Sequence, residues 1–318
     1  MNPSIFISIC IPAYRNAGLL KRLLDSIVIQ SYRDFEVIIS DDSPDDSIEF
    51  LCGSYSDQFL LSYHRNNEPL GTPRNWNEAM RKASGQWIKL MHHDDWFESY
   101  NSLQQFADVA TTTSEASFIF SAYRNVYDDN RPVKDVMMSR RQLNNISRNP
   151  QLLLAKNVIG PPSVVMHKNN KSLQYDEELQ WLVDSDFYIR HPGIRNVSYI
   201  PDPLICIGVQ SSQVTTTAFG NPGIEAPEYM HELNKYGTNI LKHIMVFDAY
   251  WRMLRNLNIR KADQIRNAGF TGKIGPPVIS MISFQRIFPR SVLRFGPLSK
   301  MLMFASYLFN RYVKNSFR

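Results

Sequence analysis

Gly85-Gln86-Trp87-Ile88-Lys89-Leu90-Met91-His92-His93-Asp94-Asp95-Trp96-Phe97 passes from a short, largely apolar run into two histidines and two adjacent aspartates. An apolar run of this length predicts a buried strand over 87–91. In an open α/β sheet, ligands bind in the crevice beyond the C-terminal ends of the strands, where Asp94 and Asp95 would then lie. Paired carboxylates suit Mg²⁺ or Mn²⁺, which prefer oxygen ligands and share them with substrate phosphates. The plainer alternative is an acidic turn that closes a strand.

The flanking sequence favours the sheet. Toward the N-terminus, Ser4–Ile11 reads as a central strand that breaks at Pro12, and 18–30 carries a helical stripe of Leu19, Leu20, Leu23, Leu24, Ile27 and Val28. Asp34–Ser40 gives a second strand ending in Asp41-Asp42-Ser43-Pro44-Asp45-Asp46, with a helix near 45–56 and a short strand over Leu60–His64. Thr72-Pro73 starts the next helix, a capping residue before a first-turn proline, with Trp76, Met80 and Ala83 on one face. The order β-α-β-α-β-α-β predicts a doubly wound, mostly parallel sheet. No Gly-x-Gly-x-x-Gly follows strand one, which disfavours a dinucleotide dehydrogenase.

Toward the C-terminus the pattern loosens. A helix near 99–110 and a strand over Ser117–Tyr123 are followed by a polar excursion at 124–148. A strand over Val164–Met166, a short helix over Trp181–His191, strands near 197–200 and 204–209, and a helical region over 225–268 complete the chain. The 318 residues, 43% hydrophobic, are enough for a full core. Three dispersed cysteines (Cys10, Cys52, Cys206) fit reduced, buried thiols. No signal peptide and no membrane-spanning run is expected. The net charge of +5 is unevenly spread: no acid follows Asp263, while residues 264–318 hold nine Lys or Arg.

Together these motifs resemble the family 2 glycosyltransferases, nucleotide-sugar enzymes with the GT-A fold. Four pieces match in order over about residues 4–215: Ile11-Pro12-Ala13-Tyr14, the Val37–Ser43 strand and its acidic turn, Asn75–Asp95, and Trp181-Leu182-Val183-Asp184-Ser185-Asp186-Phe187-Tyr188. The resemblance implies a Rossmann-like mixed, mostly parallel sheet flanked by helices. It places a GT-A domain at 1–220, with a nucleotide-binding half at about 1–97 and an acceptor half at about 98–220. A helical, basic extension, 221–318, lies outside it.

The resemblance also assigns roles. Pro12, Ala13 and Tyr14 would frame the base, and Asp42 or Asp41 would accept from base or ribose. Arg74 and Asn75, at a helix N-terminus, would face the pyrophosphate. Asp94, then Asp95, would hold Mg²⁺ or Mn²⁺. Here His92 stands in the family's first acidic position and Gln210 where many relatives have His, which weakens the ligand set. Asp184 would be the general base of an inverting transfer. Asp186, two residues on, lies on another face and braces or meets the acceptor, with Trp181, Pro162 and Ser163 on the acceptor side.

The partners implied are a nucleoside-diphosphate sugar and a saccharide acceptor, plausibly lipid-linked, with no nucleic acid. The tail interleaves its basic residues with Phe284, Phe288, Phe295, Phe304, Phe309 and Tyr312, which suits an anionic membrane surface. The location expected is cytoplasmic, peripheral on the inner face of the membrane, in surface polysaccharide synthesis. Two rivals carry the same crevice: a non-catalytic nucleotide-sugar-binding protein, and a nucleotidyltransferase. The second would show a Gly- and basic-rich loop after strand one, where this chain has Pro12–Asn16.

Overall fold

The computed structural model describes residues 5–129, 131–209, 218–314 and 317. The chain divides into two compact units. Unit 1 comprises Met1–Pro150, Val158–Glu177 and Phe187–Ser211; unit 2 comprises Gln151–Asn157, Glu178–Asp186 and Ser212–Arg318.

Unit 1 holds the strands β1 (Ile7–Ala13), β2 (Phe35–Asp41), β3 (Leu60–Arg65), β4 (Trp87–Leu90), β5 (Trp96–Phe97), β6 (Phe118–Tyr127), β7 (Lys134–Val136), β8 (Val165–Lys168) and β9 (Ser198–Val209). They form one sheet in the order β3-β2-β1-β4-β8-β6-β9-β5, with β7 against β6. Every residue of β1 and β2 is buried. Strands covered on both faces read as continuous apolar runs, which is why these two stand out in the sequence. β1 pairs in parallel with both β2 and β4, bringing the ends of all three, Ala13, Asp41 and Leu90, to one edge.

Beyond β4 the sheet turns mixed. β8 runs antiparallel to β4 and β6, while the long β6–β9 pairing is parallel. The two strands expected near 197–200 and 204–209 are one. Pro201 and Pro203 fall where the β6 register jumps from Ser121↔Ile200 to Ala122↔Pro203. Proline cannot donate to a ladder, so it is accommodated at an irregularity instead of ending the strand. Within the polar stretch 124–148, β6 extends to Tyr127, β7 pairs beside it, and Arg140–Arg148 forms a helix.

Helices α1 (Ala17–Val28), α2 (Ser47–Gly53), α3 (Arg74–Lys82), α4 (Ser102–Thr112) and α5 (Arg140–Arg148) also lie in unit 1. Asn16 caps α1, and Leu20, Leu23, Leu24 and Ile27 bury its stripe. Thr72 does not cap α3: its first turn is closed by Asn75 N–H donating to the Gly71 carbonyl. Ser139 and Gln142 form a reciprocal capping box on α5. The unit boundary falls within α6 (Val183–Arg190).

Unit 2 contains α7 (Pro222–Tyr236), α8 (Ile244–Asn256), α9 (Ala262–Asn267), α10 (Pro276–Arg286), α11 (Arg290–Arg294) and α12 (Gly296–Leu308). Its core gathers Leu152, Met230, Phe247, Trp251, Met281 and Met303. Trp251 is buried, with its indole N–H donating to Ser299 Oγ at 3.2 Å, so a large apolar body is inside and its one polar atom is satisfied.

Candidate functional site

At the ends of β1 and β2, the backbone and a polar network form a wall along the edge of the sheet. Asp41 is fully buried; it accepts from Ser43 N–H at 2.8 Å and Tyr63 Oη at 2.8 Å. Asp42 accepts from Asn66 Nδ2 (2.8 Å), Leu70 N–H (3.0 Å) and Gly71 N–H (2.8 Å). Both carboxylates thus hold protein groups: Asp41 fixes the turn, and Asp42 fixes loop 66–71. Asn75, also buried, donates to the Ala13 carbonyl and accepts from Asn66. Asn66 ties these elements together and was not singled out from the sequence. Its one signal is its place just past the C-terminal end of β3.

The loop after β1 is conformationally unusual. Arg15 and Asn16 both have left-handed φ, 55° and 54°. Such residues persist only where neighbours over-determine them, and they cluster at ligand sites. Here Arg15 N–H donates to Ser43 Oγ at 2.6 Å, tying the loop to the β2 turn. Pro12 and Ala13 are buried strand residues, whereas Tyr14 is 46% exposed, with the Arg15 guanidinium 4.9 Å from its ring. Arg74, at the start of α3, pairs with Glu177 at 3.2 Å and remains largely exposed.

Beyond β4, His92, Asp94 and Asp95 each offer a ligand atom, all within 4.8 Å of one another. Asp95 is buried; its carboxyl is pushed well above the usual range by burial and by the charge of Asp94, against the pull of hydrogen bonds from Ser163 and Gly208 N–H. Burial lowers His92 to about 4, so its imidazole is neutral near pH 7. His92 Nε2 is buried with no hydrogen-bond partner, and its ring packs 4.6 Å from Trp76. His92 Nδ1 lies 4.0 Å from Asp95 Oδ2, and an imidazole beside two carboxylates is a donor set of the kind that holds a divalent cation. The residues fit a divalent cation.

Ser163 and Pro162, expected on the acceptor side, are buried. Ser163 instead props up the acidic loop. Its hydroxyl accepts from His92 N–H at 2.9 Å, and its carbonyl accepts from the Lys89 ammonium. Lys89 is fully buried against the rings of Phe97 and Phe106, and burial lowers it to about 7. Lys89 was not singled out from the sequence; the signal that could have found it is a lone lysine inside an apolar strand. Arg22 Nη2 donates to the Asp94 carbonyl at 2.7 Å, and Gly208 lies so close that a Cβ there would meet this same oxygen at 2.5 Å. Gln210 lies outside the described residues.

Unit 2 carries the remaining candidates. Asp184 keeps partial access to solvent, but its Oδ1 is sequestered without a hydrogen-bond partner. Burial alone pushes its carboxyl up to about 7. Asp186 is different: fully buried, it accepts from Lys235 Nζ at 2.7 Å and Tyr236 Oη at 2.7 Å, so it braces the helix from inside. Trp181 is half-buried, its ring 5.8 Å from that of exposed Phe219. Within one helical turn, the structure thus separates a free carboxylate from a tied one.

The sequence profile described as glycosyl transferase family 2 matches residues 8–168, half of the chain. An uncharacterised glycosyltransferase of Rickettsia typhi is 24% identical over 221 residues, covering 68% of this chain and 67% of that protein. The GalNAc(5)-diNAcBac-PP-undecaprenol beta-1,3-glucosyltransferase of Campylobacter jejuni is 31% identical over 91 residues, 28% of this chain and 29% of that protein. The chain thus spans about two thirds of the length of the Rickettsia relative and less of the Campylobacter one. Among solved structures, S. aureus TarS 1–349 in complex with UDP-GlcNAc superposes with a TM-score of 0.58 at 14% identity, covering 98% of this chain and 92% of that one. The shared fold is GT-A.

Proposed function

This chain belongs to glycosyl transferase family 2, and on that footing we propose that it moves a sugar from a nucleoside diphosphate to a saccharide acceptor with inversion at the anomeric carbon. The observation that carries this reading is Asp184, a carboxylate with one unpartnered oxygen, held near neutrality. In an inverting displacement the acceptor oxygen attacks the anomeric carbon as the bond to the diphosphate breaks, and the acceptor hydroxyl gives up its proton. A base with a pKa near the working pH takes that proton most effectively. Asp184 has that property; Asp186, ion-paired and buried, does not offer a free oxygen.

Negative charge builds on the leaving diphosphate. In this reading His92, Asp94 and Asp95 hold a divalent cation, Mg²⁺ or Mn²⁺, which neutralises that charge when bound. A neutral imidazole favours Mn²⁺ of the two. Arg74 and the N-terminus of α3 add a fixed positive field for phosphate oxygens. Tyr14 is the exposed ring available to the base, on a loop whose shape Ser43 and Asn16 set. Asp41, Asp42 and Asn75 serve by holding that wall in place. Trp181, with Phe219, offers an aromatic face of the kind sugar rings stack on.

The decisive experiment is Asp184→Asn assayed with a panel of UDP-, GDP- and dTDP-sugars. Loss of transfer with donor binding kept supports the base; transfer at the parent rate sinks it.

We also propose a lipid-linked acceptor reached from an anionic membrane surface on the cytoplasmic side, in surface polysaccharide synthesis. Support comes from one face of α12 and the turn after it. Met301, Phe304, Leu308 and Tyr312 are 68%, 48%, 38% and 71% exposed, at spacings that keep them on one face. Ser299, Met303 and Tyr307 bury the other face. Phe284 and Phe288, by contrast, pack against the unit 2 core. No helix among the described residues is long and apolar enough to cross a membrane.

A further inference from the structure

The proposed base lies on α6, and α7 supplies groups that fix the chain on either side of it, beside the hydrogen bond from Ser185 Oγ to the Leu153 carbonyl. Glu228, on α7, is buried. Its Oε1 accepts from Gln180 N–H at 2.7 Å and Trp181 N–H at 3.2 Å; its Oε2 accepts from Trp181 N–H at 2.9 Å and Leu182 N–H at 2.8 Å. These are the backbone donors that lead into α6, at the end of a helix where N–H groups lack intrahelical partners. Two turns further along α7, Lys235 and Tyr236 grip Asp186. Residues seven apart share a helix face, so Glu228 and Lys235 point the same way. α7 therefore holds α6 immediately before and immediately after Asp184, the one carboxylate of the three that has no partner for its buried oxygen.

We propose that Glu228 is the positioning residue for Asp184: by tying down the backbone of Gln180, Trp181 and Leu182, it sets where the base points and keeps water from its inner oxygen. This inference rests on the reading of Asp184 as base. Glu228 does not touch substrate in this account; it acts through the backbone. A carboxylate is suited to the task because it accepts from three N–H groups at once, and burial strengthens each of those bonds. α7 can bear the load. Asn221 caps it, accepting from Gly223 N–H at 2.9 Å, Pro222 opens it, and Met230 and Leu233 anchor it in the core.

Two measurements test the inference, one without any substrate. Melting temperatures of the wild type, Asp184→Asn, Glu228→Ala and the double variant are compared at about pH 5 and about pH 8. With Glu228 present, Asp184→Asn is expected to raise the melting temperature more at the higher pH, because a desolvated charge is removed. With Glu228→Ala, water reaches Asp184, and that gain should shrink by at least half. An equal gain in both backgrounds overturns the proposal. Should Glu228→Ala fail to fold, Glu228→Gln, which keeps one accepting oxygen, is expected to give an intermediate loss of the gain; an undiminished gain there overturns it equally.

The second measurement is steady-state kinetics on whichever sugar nucleotide of the panel the wild type turns over. Misplacing a base by about 1 Å costs on the order of 10²-fold, so kcat should fall by roughly 10–100-fold in Glu228→Ala with KM for donor unchanged, and Glu228→Gln should recover part of it. An unchanged kcat is against the proposal. Failure of the underlying reading looks different: Asp184→Asn then transfers normally, while the melting coupling persists.

Discussion

Asp184 and Asp186 show how two identical side chains two residues apart acquire opposite surroundings. On a helix they diverge in direction; one meets Lys235 and Tyr236, the other meets nothing that neutralises it. The consequence for stability has a definite sign. Folded, Asp184 keeps its proton to about pH 7, whereas an unfolded carboxyl loses it near 3.9. Between those values the folded state binds more protons, so this residue's contribution falls as pH rises through the window. Asp184→Asn should therefore be inactive yet more stable than the parent at about pH 8, by roughly 2–4 kcal/mol in chemical denaturation, with the difference vanishing near pH 4. Loss of stability at pH 8 would contradict the desolvated carboxylate. If Asp184 is the base proposed above, transfer by the wild type should rise with pH through about 7, since a base works deprotonated. For Asp94→Ala, donor affinity in the presence of Mn²⁺ should drop about tenfold or more, with little change in its absence; isothermal titration with and without EDTA reads this. Asp94, Asp95 and Asp184 stood out in the sequence as candidates because they sit past a strand or in an acidic segment rich in aromatics. Asn66 and Glu228 did not, because what they hold is distant in sequence: the side-chain oxygens of Asp42 and Asn75 for the first, the backbone donors of 180–182 for the second.

Among elements, the first half of the sheet was readable and the second half only in part. β1, β2 and β4 are buried on both faces and rich in apolar residues, which sequence displays directly. β9 was read as two strands because Pro201 and Pro203 look like terminators, though a bulge absorbs them. α5 was read as irregular because its residues are polar, yet Ser139 and Gln142 spell the capping signal. Ser139→Ala should cost about 1 kcal/mol in unfolding free energy, since one helix-end donor loses its acceptor. The end of β9 bears on the acidic loop more directly. Gly208→Ala forces a methyl against the Asp94 carbonyl, 2.5 Å from the ideal Cβ position, and neither backbone can yield cheaply. It should weaken Mn²⁺ and donor binding several-fold while the far-UV spectrum stays unchanged; parent-like affinity would show that the loop moves freely.

For the molecule as a whole, the uneven charge and the bare face of α12 belong to one region. Removing residues 270–318 would also take Val278, Met281, Met303 and Tyr307 out of the unit 2 core. The paired change Met301→Asp and Phe304→Asp leaves the core intact. Wild type should sediment with vesicles of phosphatidylcholine and phosphatidylglycerol, less so in high salt, and the double variant should stay in the supernatant with its turnover on a soluble acceptor unchanged. Equal sedimentation of both proteins would put the contact elsewhere; concentration-dependent self-association of wild type alone would point to a second copy as the occupant of that face. Unit 2 has one more property. It is stitched from 151–157, 178–186 and 212–318, and its internal ties, from Glu228 to residues 180–182 and from Lys235 to Asp186, cross those gaps. No single cut in the gene yields this half intact, so recombination that trades carboxy-terminal modules between relatives at one breakpoint would strand Glu228 and Lys235 opposite foreign chain.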